Sequence, residues 1–272
     1  MITRPISGIT LLFDPEEEET ADLIESACER ALALCQESWG LGPPADCRIY
    51  VMSSWFSFFF RSSPWPWRFM LGLTVPLWAP RARRTWPISA AWTQRYGRRV
   101  AIGVKPPRLL EAADRSVGLR IFVEETDMAV NVQQVTCHEL VHACSAHLRL
   151  PAWLNEGIAT VTADRFLGWG TIREETLDLV ESHQPKAPPL SYRELSRVGI
   201  GETFAYHAVR GYWITRILEE KHPGTLKKLF AAPPSAGFEE AVAARLGLDR
   251  EAFWREIDGR TVAHFRQPRG EG

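Results

Sequence analysis

The chain has 272 residues, of which 45% are hydrophobic, 24% charged and 11% aromatic, and its formal net charge is −1. That composition excludes a disordered, collagen-like or coiled-coil protein, and the length suffices to bury a core without disulfide staples. The charge average hides an asymmetry: Cys47 to Leu110 holds 11 of the 32 basic residues and none of the 33 acidic ones, together with six of the 11 Trp.

Taken in chain order, β-branched and large apolar residues predict a strand over 6–13. Asp14-Pro15-Glu16-Glu17 then opens a helix with an N-cap, a proline in the first turn and carboxylates at the positive dipole end. Ile24, Ala27, Cys28, Ala31, Cys35 and Trp39 recur at helical spacing up to Gly40, a C-cap. A second strand is predicted over 47–52. Residues 53–99 show no sustained period and many Pro and Arg, which predicts irregular structure with short extended pieces. Strands are expected over 99–104 and 117–123, then a long helix over 128–147. Beyond Pro151 the pattern is helical, with segments over 151–166, 173–183, 191–197, 202–222, 224–231, 238–246 and 250–265, broken by Pro188-Pro189 and Pro233-Pro234. The fold class is therefore α+β. An N-terminal α+β lobe covers 1–149 and carries the cationic aromatic insert at 53–99; an α-helical lobe covers 150–272.

Five cysteines in an odd, scattered set without a CxxC pair predict a reduced compartment. The first residues lack a basic stretch followed by an apolar run, so no signal peptide is expected. The longest uncharged apolar stretches have 12 residues each, short of the roughly 20 that a spanning helix requires. The expectation is a cytoplasmic protein without a transmembrane segment, with peripheral membrane contact by the aromatic block left open.

The chemistry lies in His138-Glu139-Leu140-Val141-His142. Two histidines four apart lie one turn apart on one helix face, so both imidazoles can reach a single ion, and neutral imidazole suits Zn²⁺. The flanking Val135 and Leu148 are apolar, which places this helix inside. A third ligand is supplied by Trp153-Leu154-Asn155-Glu156-Gly157, where Glu156 sits near the start of the next helix and faces back if the two helices form a hairpin. Two His and one Glu leave a coordination position for water, the ligand set of a hydrolytic site with one zinc ion. Glu139 follows His138 directly, near the metal without being a ligand, where a carboxylate can act as general base. His147 fails the spacing of an alternative third ligand, and Cys137 and Cys144 fall off the histidine face. Asp164, Glu124, Glu125 and Asp127 remain open as the carboxylate that orients a ligand histidine.

In these paired motifs the chain resembles the gluzincin metallopeptidases, in particular the peptidase-MA-like group with HExxH followed by a WxxEG-type helix. The resemblance extends at pattern level to the strand–helix–strand opening and to the C-terminal stretches around Gly224-Thr225-Leu226 and Phe238-Glu239-Glu240. It implies a zincin-like fold, a peptide or protein substrate, His138, His142 and Glu156 as zinc ligands and Glu139 as general base. It also implies a substrate-pairing edge at the strand over 100–104. A tyrosine donating to the developing oxyanion is implied near Tyr206, with His207 and Tyr212 as competitors. The rival reading is a zinc-bearing binding module that does not turn over.

The cationic aromatic block admits three readings: core of the N-terminal lobe rimmed by arginine, a wall or lid over the zinc cleft, or an interfacial membrane or nucleic-acid surface. The acidic remainder of the chain weighs against the third, no nucleic-acid partner is expected, and the oligomeric state is open.

Overall fold

The structure, a computed structural model, describes residues 1–112, 118–183, 189–198 and 202–267. It is a mixed α+β fold around a five-stranded sheet of order β1-β2-β3-β5-β4. The strands are β1 (Ile2–Ile6), β2 (Ile9–Phe13), β3 (Asp46–Val51), β4 (Ala91–Tyr96) and β5 (Arg99–Val104). The inner strands β2, β3 and β5 run parallel, and β1 and β4 add antiparallel edges. The single strand predicted over 6–13 is thus a hairpin. Ser7 and Gly8, at φ 44° and 84°, form the two-residue turn between β1 and β2, with the positive φ at both central residues of the type I′ turn that matches the strand twist.

Side-chain alternation divides the sheet into two faces. Leu11 and Phe13, Cys47 and Ile49, and Val100, Ile102 and Val104 point to one face, where α1 (Glu18–Trp39) and α7 (Met128–Ser145) cover them. Gly40, at φ 70°, ends α1 as predicted, donating to Gln36 O while Leu41 donates to Cys35 O. Leu12, Tyr50 and Ala101 point to the other face.

The insert at 53–99 is not irregular. It forms α2 (Trp55–Ser62), α3 (Trp65–Leu73) and α4 (Val75–Thr85), then β4. Pro66 and Pro76 occupy first-turn positions of α3 and α4, where the missing N–H costs nothing, while Pro80 is accommodated inside α4. Ser54 caps α2 by accepting from Ser57 N. Phe58 of α2 packs on the second face, and Gly103 of β5 makes room for it: a Cβ there would lie 2.8 Å from the Phe58 ring. The insert therefore begins on the sheet face opposite α7, and its last element, β4, reaches α7 through Thr93 and Arg95.

A strand predicted over 117–123 is also corrected. Val117 lies outside the described residues, α6 (Gly118–Ile121) is helical, and Phe122 makes only an isolated bridge with Ile172. Before it, α5 (Pro107–Glu111) follows β5.

The helical half comprises α8 (Ala152–Leu167), α9 (Thr176–Ser182), α10 (Tyr192–Val198), α11 (Glu202–Lys221), α12 (Thr225–Ala231), α13 (Phe238–Arg245) and α14 (Arg250–Arg266), close to the predicted segments. Pro188 lies outside the described residues. Cys35 and Trp39 of α1 and Val141 and Cys144 of α7 join the helical core. Trp39 Nε1 donates to Thr162 Oγ1 of α8 at 2.7 Å, which ties α8 to the sheet-packed helices. All five cysteines are buried and free. Among the described residues no helix is long and apolar enough to cross a membrane.

Candidate metal centre

The two motifs meet because α7 and α8 form a hairpin. Asp127 caps α7, accepting from Ala129 N at 2.8 Å. The helix then buries Val132, Thr136, Cys137, Leu140, Val141 and Cys144, which leaves His138 and His142 together on a partly exposed face. Arg149, at φ 52°, reverses the chain, and Pro151 precedes α8. Ser145 Oγ donates to Asn155 Oδ1 at 2.8 Å and straps the hairpin closed beside the motif.

Glu156 is thereby brought onto both histidines. His138 Nε2 lies 3.3 Å from Glu156 Oε2, His142 Nε2 lies 3.4 Å from Glu156 Oε1, and the two Nε2 atoms are 3.1 Å apart. Among the described residues this is the one group of three metal-ligating side chains whose ligand atoms converge, all within 4.8 Å of one another. Two imidazole nitrogens directed at one point repel unless a proton or a cation lies between them. With a carboxylate alongside, the N₂O donor set fits a divalent ion of the zinc type.

Electrostatics without an ion agree with that grouping. Burial raises the Glu156 carboxyl, but His142 and His138 outweigh it and hold the group well below the usual carboxylate range. Burial lowers His142, and the Glu156 carboxylate overrides this and raises the imidazole to about 9.

Glu139 is buried on the same helix and is not a member of the triad. Its Oε2 accepts from Thr93 Oγ1 of β4 at 2.5 Å, and among the described residues Oε1 has no hydrogen-bond partner. Strand β4 is thus the sheet element that reaches the centre. It is also one of the two edge strands, β1 being the other. The expectation of an edge at 100–104 is corrected, because β5 has β3 on one side and β4 on the other.

The structure brings Tyr192, not Tyr206, to the triad. Tyr192 Oη donates to Glu156 Oε1 at 2.8 Å and accepts from Asn155 Nδ2 at 2.8 Å. Loss of solvent around the hydroxyl, then the Glu156 carboxylate, push the phenol above its usual range. Ser191 and Glu194 hold Tyr192 at the start of α10 through a capping box: Glu194 Oε2 accepts from Ser191 N at 2.9 Å, and Ser191 Oγ accepts from Glu194 N at 3.4 Å. That S-x-x-E pattern is legible in sequence. The direction of the tyrosine ring is not.

The other candidates lie in structural networks. Tyr206 is fully buried on α11, where its hydroxyl donates to Asp258 at 2.6 Å and its ring stacks on His183 at 3.9 Å. Asp258 also pairs with buried Arg210 at 2.7 Å, so the Tyr206 hydroxyl is committed to this carboxylate and is not placed to meet a substrate carbonyl. Tyr212 donates to Asp164, which also accepts from Thr171 N and Oγ1. Asp164 and Asp127 therefore anchor a turn and a helix start. Exposed His147 bonds Cys144 O at 3.0 Å at the end of α7. Burial pushes the Cys137 thiol up to about 12, consistent with packing.

His207 is buried with Nδ1 unpartnered. Burial first, then the Arg210 charge, depress it to about 4 from an ordinary 6.5. Between those values the unfolded chain binds a proton that the folded chain refuses, so stability falls as pH drops through the window. The shift is equivalent to at most about 3 kcal/mol. His207→Phe is expected to remove this loss: in denaturant titrations the difference in stability between variant and parent should grow on going from neutral pH to about pH 4.5. A pH-independent difference would contradict it.

No known protein family, no curated protein and no solved structure matches this chain.

Proposed function

We propose that the chain is a zinc-dependent peptidase of zincin-like, gluzincin type, which hydrolyses a peptide or protein amide bond with Glu139 as general base. One observation carries the reading: His138, His142 and Glu156 converge on a single point, with the separate carboxylate of Glu139 one residue along the same helix. His138, His142 and Glu156 would hold the metal. Zinc, when bound, lowers the pKa of a water towards about 7 and polarises a carbonyl.

The remaining work falls to the chain's own groups. Thr93 engages Glu139 Oε2 and leaves Oε1 to take the proton of the attacking water and return it to the leaving amine. Asn155 and Tyr192 orient the Glu156 carboxylate through the hydroxyl that joins them. β4 ends the sheet beside Glu139, so its outer edge can pair with an extended peptide, and main-chain hydrogen bonding of that kind suits a protein substrate.

Metal analysis tests the reading directly. The parent is expected to carry one zinc per chain and to cleave an unfolded protein, and His138→Ala to lose both metal and cleavage. A parent that takes up no stoichiometric zinc would end the proposal.

A further inference from the structure

The insert helices leave an unexplained surface. None of the nine residues of α3 is buried, although most are apolar. Trp65 is 75% exposed, and Phe69 and Leu73 follow it at successive four-residue steps on one helix face. Trp67 and Met70 are about half exposed, and Leu77 of α4 is 82% exposed. Together these side chains present on the order of several hundred Å² of apolar surface, at or above the largest patch that a soluble monomer ordinarily shows.

Cations accompany this patch. Leu77, Arg81 and Arg84 share one face of α4 at spacings of four and three. Arg68, Arg81, Arg83 and Arg84 are exposed, and among the described residues none has a carboxylate partner. Other arginines of the same stretch do pair: Arg48 and Arg99 with Asp46, and Arg61 of α2 with Asp14. The stretch from Cys47 to Leu110 contains no acidic residue that could neutralise the surface.

We propose that α3 and α4 form an interfacial anchor that docks the protein on an anionic lipid bilayer. The aromatic and aliphatic side chains lie in the boundary between headgroups and acyl chains, and Arg68, Arg81, Arg83 and Arg84 contact lipid phosphates. A second copy of the chain fits poorly, because it would bring an equally cationic patch against the first. A nucleic acid would satisfy the arginines and leave Met70, Leu73 and Leu77 without an apolar partner. α3 rests on the second-face core through Leu71, which leaves Trp65, Phe69 and Leu73 free for shallow immersion, and no helix among the described residues could cross the bilayer instead. The anchor belongs to the insert whose first helix packs on the sheet face opposite α7, so the proposal does not rest on the peptidase reading.

Vesicle co-flotation of the full chain tests it. Binding is expected to phosphatidylcholine vesicles containing about 30% phosphatidylserine and to be weak without the anionic lipid. Arg81→Gln/Arg83→Gln/Arg84→Gln should weaken partitioning on the order of 100-fold, since each cation near such a surface contributes about fivefold. Trp65→Ser/Phe69→Ser/Leu73→Ser should lose a similar factor, about 100-fold, with far-UV circular dichroism and melting unchanged because these side chains are exposed. Zinc-free His138→Ala should float as the parent does. The proposal is overturned if the parent does not bind anionic vesicles, or if either triple variant binds as well as the parent. It is equally overturned if the parent is a dimer that the serine variant dissociates and that ignores vesicles.

Discussion

Replacing Glu139 with glutamine is expected to leave one zinc per chain and to lower peptide hydrolysis by about 10²–10⁴-fold. The substitution is nearly isosteric, and the amide oxygen can still accept from Thr93 Oγ1, so β4 and α7 stay joined. What is lost is the ability to take a proton. Glu139 is not among the converging ligand atoms, so metal content should not move with activity. Metal analysis and a cleavage assay on the same preparation check the pair of outcomes. Equal cleavage by variant and parent would refute the base assignment. Zinc without cleavage in either protein would instead leave a metal-bearing binding module.

The candidate metal centre was legible because its signals are local. His138 and His142 sit one turn apart whatever the rest of the chain does, and Glu156 needs only the break at Leu150-Pro151 to fold back. The groups that complete the site are not local. Thr93 is 46 residues from Glu139 and Tyr192 is 36 from Glu156, and no periodicity records which strand or loop arrives at a helix hairpin. The family resemblance pointed to Tyr206, but α11 turns its hydroxyl onto Asp258. The insert was misread for a different reason. Prolines in the first turn of α3 and α4 look the same in sequence as prolines that prevent helices, and β4 shows no apolar alternation, because Thr93 and Arg95 face α7, where they donate to Glu139 and Ala146 O, while Trp92 and Tyr96 pack on the other face. The hairpin at Ser7-Gly8 was the opposite case: a two-residue turn signal was present and was absorbed into one long apolar run.

Gly157 closes the second motif, and its substitution is expected to have the largest effect on stability. A Cβ at that position would lie 2.1 Å from Thr215 Oγ1 and 2.4 Å from the Gly211 carbonyl oxygen. The threonine hydroxyl can rotate away; the Gly211 backbone cannot. Gly211 is in the reciprocal position, since a Cβ on it would lie 2.0 Å from Trp153 O. The backbones of α8 and α11 therefore touch at two glycines, and any side chain forces the helices apart through a close-packed core. Gly157→Ala is expected to destabilise the protein by about 3 kcal/mol, which lowers Tm by roughly 5–10 °C in a chain of this size. Gly259, in α14, provides the control: a Cβ there meets nothing within 4 Å, so Gly259→Ala should be neutral or stabilise by about 0.5–1 kcal/mol through the unfolded state. Thermal melts of the two variants separate backbone contact from a general intolerance of the helical half to alanine. If Gly157→Ala melts with the parent, α8 and α11 are not in contact as described. The same experiment bears on the metal centre, because Glu156 is the residue before Gly157 and reaches His138 and His142 only while α8 holds its place. Zinc affinity is expected to fall in Gly157→Ala although no ligand has changed. The glycine of this motif thus acts through packing, and the glutamate beside it through its convergence on His138 and His142.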